Sequence, residues 1–204
     1  MNEVIFQYAG IAMLIIFYAI YAGKMIMQKR KGIQTDQMAR GKKTKRLFRT
    51  ELTMKVATYC VVIVEVVSVL LNTTLFDDIV RITGLFLAVI GTTVFGVAVY
   101  TMQDSWRAGI AVRDKTELVT TGIFRISRNP AFLAFDLVYL GFLIMFFNWI
   151  LLLFTFWAAI MLHLQIKQEE RFLSLSFGED YLRYKNQTKR YIGKKQCVNL
   201  TKSL

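Results

Sequence analysis

The stretch PAFLAFDLVYLGFLIMFFNWILLLFTFWAAIMLHLQI, residues 130–166, decides the fold. Crossing a hydrocarbon core of about 30 Å by helix takes about 20 apolar residues, and this run is far longer than that. Asn148-Trp149 lies near its centre, and tryptophan is at home where the membrane meets water. The run therefore predicts two short antiparallel helices joined by a tight turn at Asn148-Trp149. Pro130, the single proline of the chain, opens the first of them, a position where its missing N–H costs nothing. Towards the N-terminus, residues 79–102, 52–76 and 4–23 are each long and apolar enough for one more span, although Glu65 interrupts the second of these. The expected fold class is all-α, a polytopic membrane bundle of about five transmembrane helices.

The charges test that count. Of 26 Lys and Arg residues, ten fall in residues 24–49, five in 103–129 and nine after residue 166; only Lys55 and Arg81 lie elsewhere. Five spans place all three basic segments on one side, which the positive-inside rule makes the cytoplasm. Four or six spans leave one of them outside. The expectation is an N-terminus outside and a C-terminus in the cytoplasm. The loop over residues 29–49 reads as a topology signal that also touches anionic headgroups, and Arg107 and Arg113 read as charges of the same kind. The first apolar run has no small-residue cleavage site after it and reads as a retained anchor. The compact size and the lack of a eukaryotic-style retention signal point to a bacterial plasma membrane.

Composition excludes one class of partner. A net charge of +12 on a soluble protein suggests nucleic acid, but this chain is 55% hydrophobic, against about 45–50% in soluble domains. The membrane is the expected partner, and nucleic acid is not. Cys60 lies in an apolar run and Cys197 in a basic tail, an arrangement unsuited to a disulfide, and no CxxC or Cys/His cluster suggests a metal.

The chemistry is concentrated around the hairpin. Before it runs Glu117-Leu118-Val119-Thr120-Thr121-Gly122-Ile123-Phe124, then Arg128-Asn129-Pro130; after it come Glu169-Glu170-Arg171-Phe172-Leu173 and Phe177-Gly178-Glu179-Asp180-Tyr181. In an antiparallel hairpin turning at residues 149–150, residues whose numbers sum to about 299 share a depth. Asn129 is then level with Glu170, Arg128 with Arg171, and Asp136 with His163. Two polar segments distant in sequence meet at the cytoplasmic mouth of the hairpin, with carboxylates, donors, aromatics and lipid side by side. That setting suits a polar cofactor whose reaction partner arrives from the membrane.

At these residues the sequence resembles the isoprenylcysteine carboxyl methyltransferases and phospholipid N-methyltransferases. That family carries Leu-Val-x-x-Gly-x-Tyr/Phe-x-x-x-Arg-His-Pro-x-Tyr, a helical hairpin, and Glu-Glu-x-x-Leu-x-x-x-Phe-Gly-x-x-Tyr. The matching residues here are Leu118-Val119, Gly122, Phe124, Arg128-Asn129-Pro130-Ala131-Phe132, Glu169-Glu170, Leu173, Phe177-Gly178 and Tyr181. The resemblance covers about residues 104–192. It implies three parts: N-terminal helices with a basic loop over 1–103, a cofactor-binding region over 104–192, and a basic tail over 193–204.

The resemblance further implies S-adenosyl-L-methionine as methyl donor and a lipid or small hydrophobic molecule as acceptor. Thr116, Glu117, Leu118 and Val119 match the stretch that lines the cofactor. Phe124 matches its aromatic, Asn129, Pro130, Ala131 and Phe132 its His-Pro-x-Tyr contact, and Glu169 the glutamate that holds its polar end. The physics agrees, since a carboxylate binds an ammonium or ribose hydroxyls through charge-assisted hydrogen bonds and an aromatic face attracts a cationic sulfonium.

Three departures bear on the substrate. The family histidine is Asn129, as in the phospholipid branch, and the family tyrosine is Phe132. The arginine that binds a prenylcysteine carboxylate, four residues before the glutamate pair, is Gln165, so that substrate is not expected and Gln165 stands at the corresponding substrate position. Glu65 in mid-membrane is either a functional group or a buried helix contact; Asp136 and His163 are expected to pair structurally, the alternative being that one serves as a base for an amine or phenol nucleophile. Two other functions stay open: an NADPH-dependent membrane reductase of similar topology, and a non-catalytic membrane scaffold.

Overall fold

A computed structural model describes residues 3–111 and 116–195; Arg113, Cys197 and the end of the basic tail lie outside them. Five helices account for most of the chain: α1 (Glu3–Arg30), α2 (Lys45–Leu71), α3 (Asp78–Met102), α4 (Pro130–Met145) and α5 (Trp149–Gln187). Four of them are long and apolar enough to cross a membrane, and α4 is a shorter apolar helix. Its 16 residues rise about 24 Å, a little under the thickness of a hydrocarbon core. Large apolar side chains such as Ile63, Leu70 and Phe86 are exposed on the flanks, as expected of a surface solvated by lipid. The chain is an all-α integral membrane bundle.

Local sequence sets the helix ends. The side chains of Thr44, Asp77 and Asn148 each accept a hydrogen bond from a first-turn N–H, capping α2, α3 and α5. Pro130 starts α4 at its first position. Asn148 also donates to Ser68 Oγ at 2.8 Å and Thr73 Oγ1 at 3.0 Å, which ties the α4–α5 turn to the end of α2. Arg81, one of the two cations outside the basic segments, seals the same end. Its guanidinium is buried, donates to Met145 O at 2.9 Å and Asn72 Oδ1 at 2.6 Å, and lies 4.1 Å over the Phe6 ring.

The closest helix pair is α3 against α4, and glycines make it so. A methyl group at Gly84 would lie 2.6 Å from the carbonyl oxygen of Gly141, and one at Gly141 would lie 2.6 Å from that of Gly84. Gly91 meets Ala134 O in the same way at 2.8 Å. Small residues let membrane helices approach backbone to backbone, where packing rather than a hydrophobic drive holds them. Because the opposing atoms are backbone and cannot yield, Gly141→Val is expected to cost about 3 kcal/mol. That amounts to a fall of about 10 °C in Tm for a chain of this size, measured by thermal unfolding in detergent.

At the opposite end the basic loop between α1 and α2 is folded, not splayed onto headgroups. Gln37 N donates to Ala108 O at 2.8 Å and Ala108 N to Thr35 O at 3.0 Å. Glu51, fully buried, takes Lys43 Nζ at 2.6 Å and the N–H groups of Ala39 and Ile110. Lys55 pairs with Asp36 at 2.7 Å. The loop thereby roofs residues 106–110, with Met38 packed on Gly109.

Candidate functional site

The hairpin brings its two polar ends together. Asn129 Nδ2 donates to Glu170 Oε1 at 3.3 Å, and Arg128 donates to the same oxygen at 2.7 Å through Nη2. Arg190, returning from beyond α5, binds the other oxygen of Glu170 at 2.7 Å. Arg128 also donates to the carbonyls of Thr188 at 2.6 Å and Lys185 at 3.2 Å. Arg128, Asn129 and Glu170 are buried, so this is a closed knot that clamps the start of α4 to α5. Its hydrogen bonds to Glu170 hold the Arg190 guanidinium above its ordinary pKa. Arg128 meets Glu170 instead of lying opposite Arg171, which is exposed.

The end of α5 turns back over the same place. Gly178 has φ 50° and ψ −124°, a conformation that only glycine adopts readily, and the helix breaks there. The following turns carry Tyr181 and Tyr184 into a small apolar cluster with Phe124, flanked by Leu118 and Val119. Tyr184 Oη donates to Phe124 O at 2.7 Å. The segment before the hairpin is thus held by the segment after it.

Between these pieces lies a cavity of about 140 Å³. All ten residues that the resemblance marks for the cofactor are on its wall: residues 116–119, Phe124, residues 129–132 and Glu169. Trp106, Arg107, Gly109 and Phe172 are among the other residues on it; no pattern in the sequence singles out Trp106 and Gly109, since the loop roof is what places them. The two glutamates have parted roles. Glu170 is consumed by two arginines, whereas Glu169 is part-buried, receives one hydrogen bond, from Gln165 Nε2 at 3.2 Å, and has no ion-pair partner among the described residues. Gln165 is fully buried behind Glu169 and lines no cavity. The Asn129 amide is already spent on Glu170 and on Arg190 O at 3.2 Å, so it offers a ligand no free N–H.

A second, mostly apolar cavity of about 350 Å³ adjoins the first. Trp106, Arg107, Gly109, Ala131, Phe132 and Glu169 line both. Tyr59, on the wall of this cavity, is also 61% exposed on the flank of α2, so the cavity reaches the lipid-facing surface. The smaller chamber and a lipid-accessible one therefore share a partition that contains Glu169. That arrangement can hold a charged donor and an apolar acceptor side by side while excluding water.

The remaining titratable groups sort differently from expectation. Asp136 and His163 do not pair: His163 Nδ1 hydrogen-bonds Tyr191 Oη, and Asp136 Oδ1 is buried without a partner. Tyr191, which lies within electrostatic reach of Asp136, takes the hydrogen bond of His163 instead. Glu65 is fully buried, and neither carboxyl oxygen has a hydrogen-bond partner.

No curated protein matches the chain. Residues 82–175, from the first turn of α3 to beyond the glutamate pair of α5, match the model of the isoprenylcysteine carboxyl methyltransferase (ICMT) family. The stretch contains the hairpin, the clamp between Arg128 and Glu170, and most of the smaller cavity. Through this region, a little under half of its length, the chain is similar to the ICMT family of methyltransferases.

Proposed function

We propose that the chain transfers a methyl group from S-adenosyl-L-methionine to a lipid or small hydrophobic acceptor that enters from the bilayer. The observation that carries this is the shared partition: a smaller cavity walled in part by Glu169, a carboxylate with no ion-pair partner among the described residues, beside a larger, more apolar cavity that opens towards lipid. The residues suit the donor. Glu169 offers acceptor oxygens to an ammonium or to ribose hydroxyls, and Phe124 and Phe132 offer aromatic faces to a sulfonium. Bound there, the donor would supply an electrophilic methyl group for in-line displacement.

The chain's own residues then have two tasks. One is alignment: Gln165 orients Glu169, and residues 116–119 and 129–132 enclose the smaller cavity. The other is exclusion of water, by the folded loop roof on one side and Tyr181 and Tyr184 on the other. Both lower the barrier of a displacement that needs little acid–base help. We assign residues 1–103 to membrane helices and roof, 104–192 to the cofactor-binding region and 193–204 to a basic tail. The positive-inside rule supports a cytoplasmic C-terminus and an outside N-terminus, and we assign the chain to a bacterial plasma membrane.

The test is a pair of titrations and a transfer assay. Purified protein in detergent is expected to bind S-adenosylmethionine saturably and NADPH not at all. It should also move label from the methyl of the donor into the lipid-soluble fraction of a total lipid extract. Saturable NADPH binding with no affinity for the methyl donor would replace this reading with a membrane reductase. Binding of neither would leave a scaffold.

A further inference from the structure

The deep end of the apolar cavity is not apolar. Tyr18 of α1 and Tyr139 of α4 line it, and both hydroxyls are buried without a hydrogen-bond partner. The two hydroxyls approach one another but make no bond of sound geometry. Glu65 of α2 lies within electrostatic reach of both, and both of its carboxyl oxygens are also unpartnered. Asp136, one turn before Tyr139 on α4, adds a fourth such group. Two helices thus aim buried hydroxyls into this cavity, while Glu65 and Asp136, which do not line it, lie within electrostatic reach behind them. Buried polar groups in native proteins are almost always paired, and an ionisable residue inside a membrane marks a functional site before anything else.

The cluster has a defined place relative to the chemistry. Ala131 and Phe132, at the partition with the smaller cavity, and Tyr139, at the far end, lie on the same helix. Eight residues of helix separate Ala131 from Tyr139, a rise of about 12 Å. The cavity wall between them is aromatic, with Phe95 and Phe135 on it.

We infer that Tyr18 and Tyr139, backed by Glu65, form a distal subsite that binds a hydroxyl or carbonyl group on the acceptor, roughly 12 Å along α4 from the partition with the cofactor cavity. The acceptor is then a hydrophobic molecule with two polar ends and a flat or unsaturated body between them. A lipid whose buried part is plain saturated chain does not meet this requirement. The inference rests on the proposed methyl transfer only for the direction in which the acceptor lies.

The test uses two rigid probes that differ by one hydroxyl, 4-hydroxybiphenyl and biphenyl. Each is equilibrated by dialysis between the purified full-length protein in detergent and protein-free micelles of the same detergent. The hydroxylated probe is expected to bind the wild-type protein at least tenfold more tightly than biphenyl. In the Tyr18→Phe/Tyr139→Phe variant, which keeps both rings, that preference should fall below threefold while S-adenosylmethionine affinity is unchanged. Equal binding of the two probes to the wild type overturns the subsite, whether or not the variant folds. So does a preference that survives loss of both hydroxyls. A hydroxyl preference in a protein that fails to bind S-adenosylmethionine would sustain the subsite and overturn the methyl-donor reading instead.

Discussion

Glu169→Gln is expected to weaken S-adenosylmethionine binding on the order of a hundredfold, with the unliganded protein as stable as the wild type or slightly more so. A charge-assisted hydrogen bond contributes about 1.5–3 kcal/mol, so losing one of them to an ammonium or ribose, while the amide oxygen still accepts the other, accounts for a change of that size. Stability should not suffer, because the one hydrogen bond within the protein that Glu169 makes is from Gln165, and an amide can accept it equally well. Glu169→Ala should be worse for binding and similar for stability. Isothermal titration and thermal unfolding in one detergent read both quantities. Unchanged affinity would remove Glu169 from the site.

The neighbouring residue should behave in the opposite way. Glu170→Ala leaves the Arg128 guanidinium buried with no counter-charge, since both it and Glu170 have side chains only 5% exposed. Breaking a buried ion pair from one side costs about 3–5 kcal/mol, and here three donors, from Arg128, Asn129 and Arg190, lose their acceptor together. The expected result is a fall in Tm of about 10 °C or more, with cofactor binding lost as the mouth of the hairpin opens. An Arg128→Met/Glu170→Met double variant removes both charges and should recover most of the stability. Two adjacent glutamates, one failing in binding and the other in folding, would separate a ligand-facing carboxylate from a structural one. Equal effects of the two substitutions would contradict that division.

Much of this was legible in sequence because depth in a membrane is legible. Helix length, basic loops and the Asn148-Trp149 turn fix how far along the bilayer each residue sits. That is why Asn129 and Glu170 meet as the register requires. Rotation about the helix axis is not legible in the same way. Asp136 and His163 share a depth yet do not bond directly: His163 finds Tyr191, which follows α5 and has no place in a hairpin register.

Other parts depended on contacts that no local pattern announces. The sequence pairs Glu169 with Glu170 but does not say which one meets a cation; Arg190, from the far side of the Gly178 break, makes that choice. The glycines of α3 and α4 are legible only when the two helices are set side by side, since Gly84 and Gly141 matter through each other. The loop over residues 31–44 reads as a set of charges for headgroups until Glu51 is seen to hold it by Lys43 and by the N–H groups of Ala39 and Ile110. Its role as a roof over residues 106–110, several of which line both cavities, follows from that anchor.

The most direct measurement is ultraviolet cross-linking of tritium-labelled S-adenosylmethionine to the purified protein, followed by peptide mapping. Saturable label is predicted in peptides spanning residues 116–132 and 165–173, competed by unlabelled donor and lost in Glu169→Gln. Label confined to other parts of the chain, or undiminished by that substitution, would contradict the placement of the donor at the mouth of the α4–α5 hairpin.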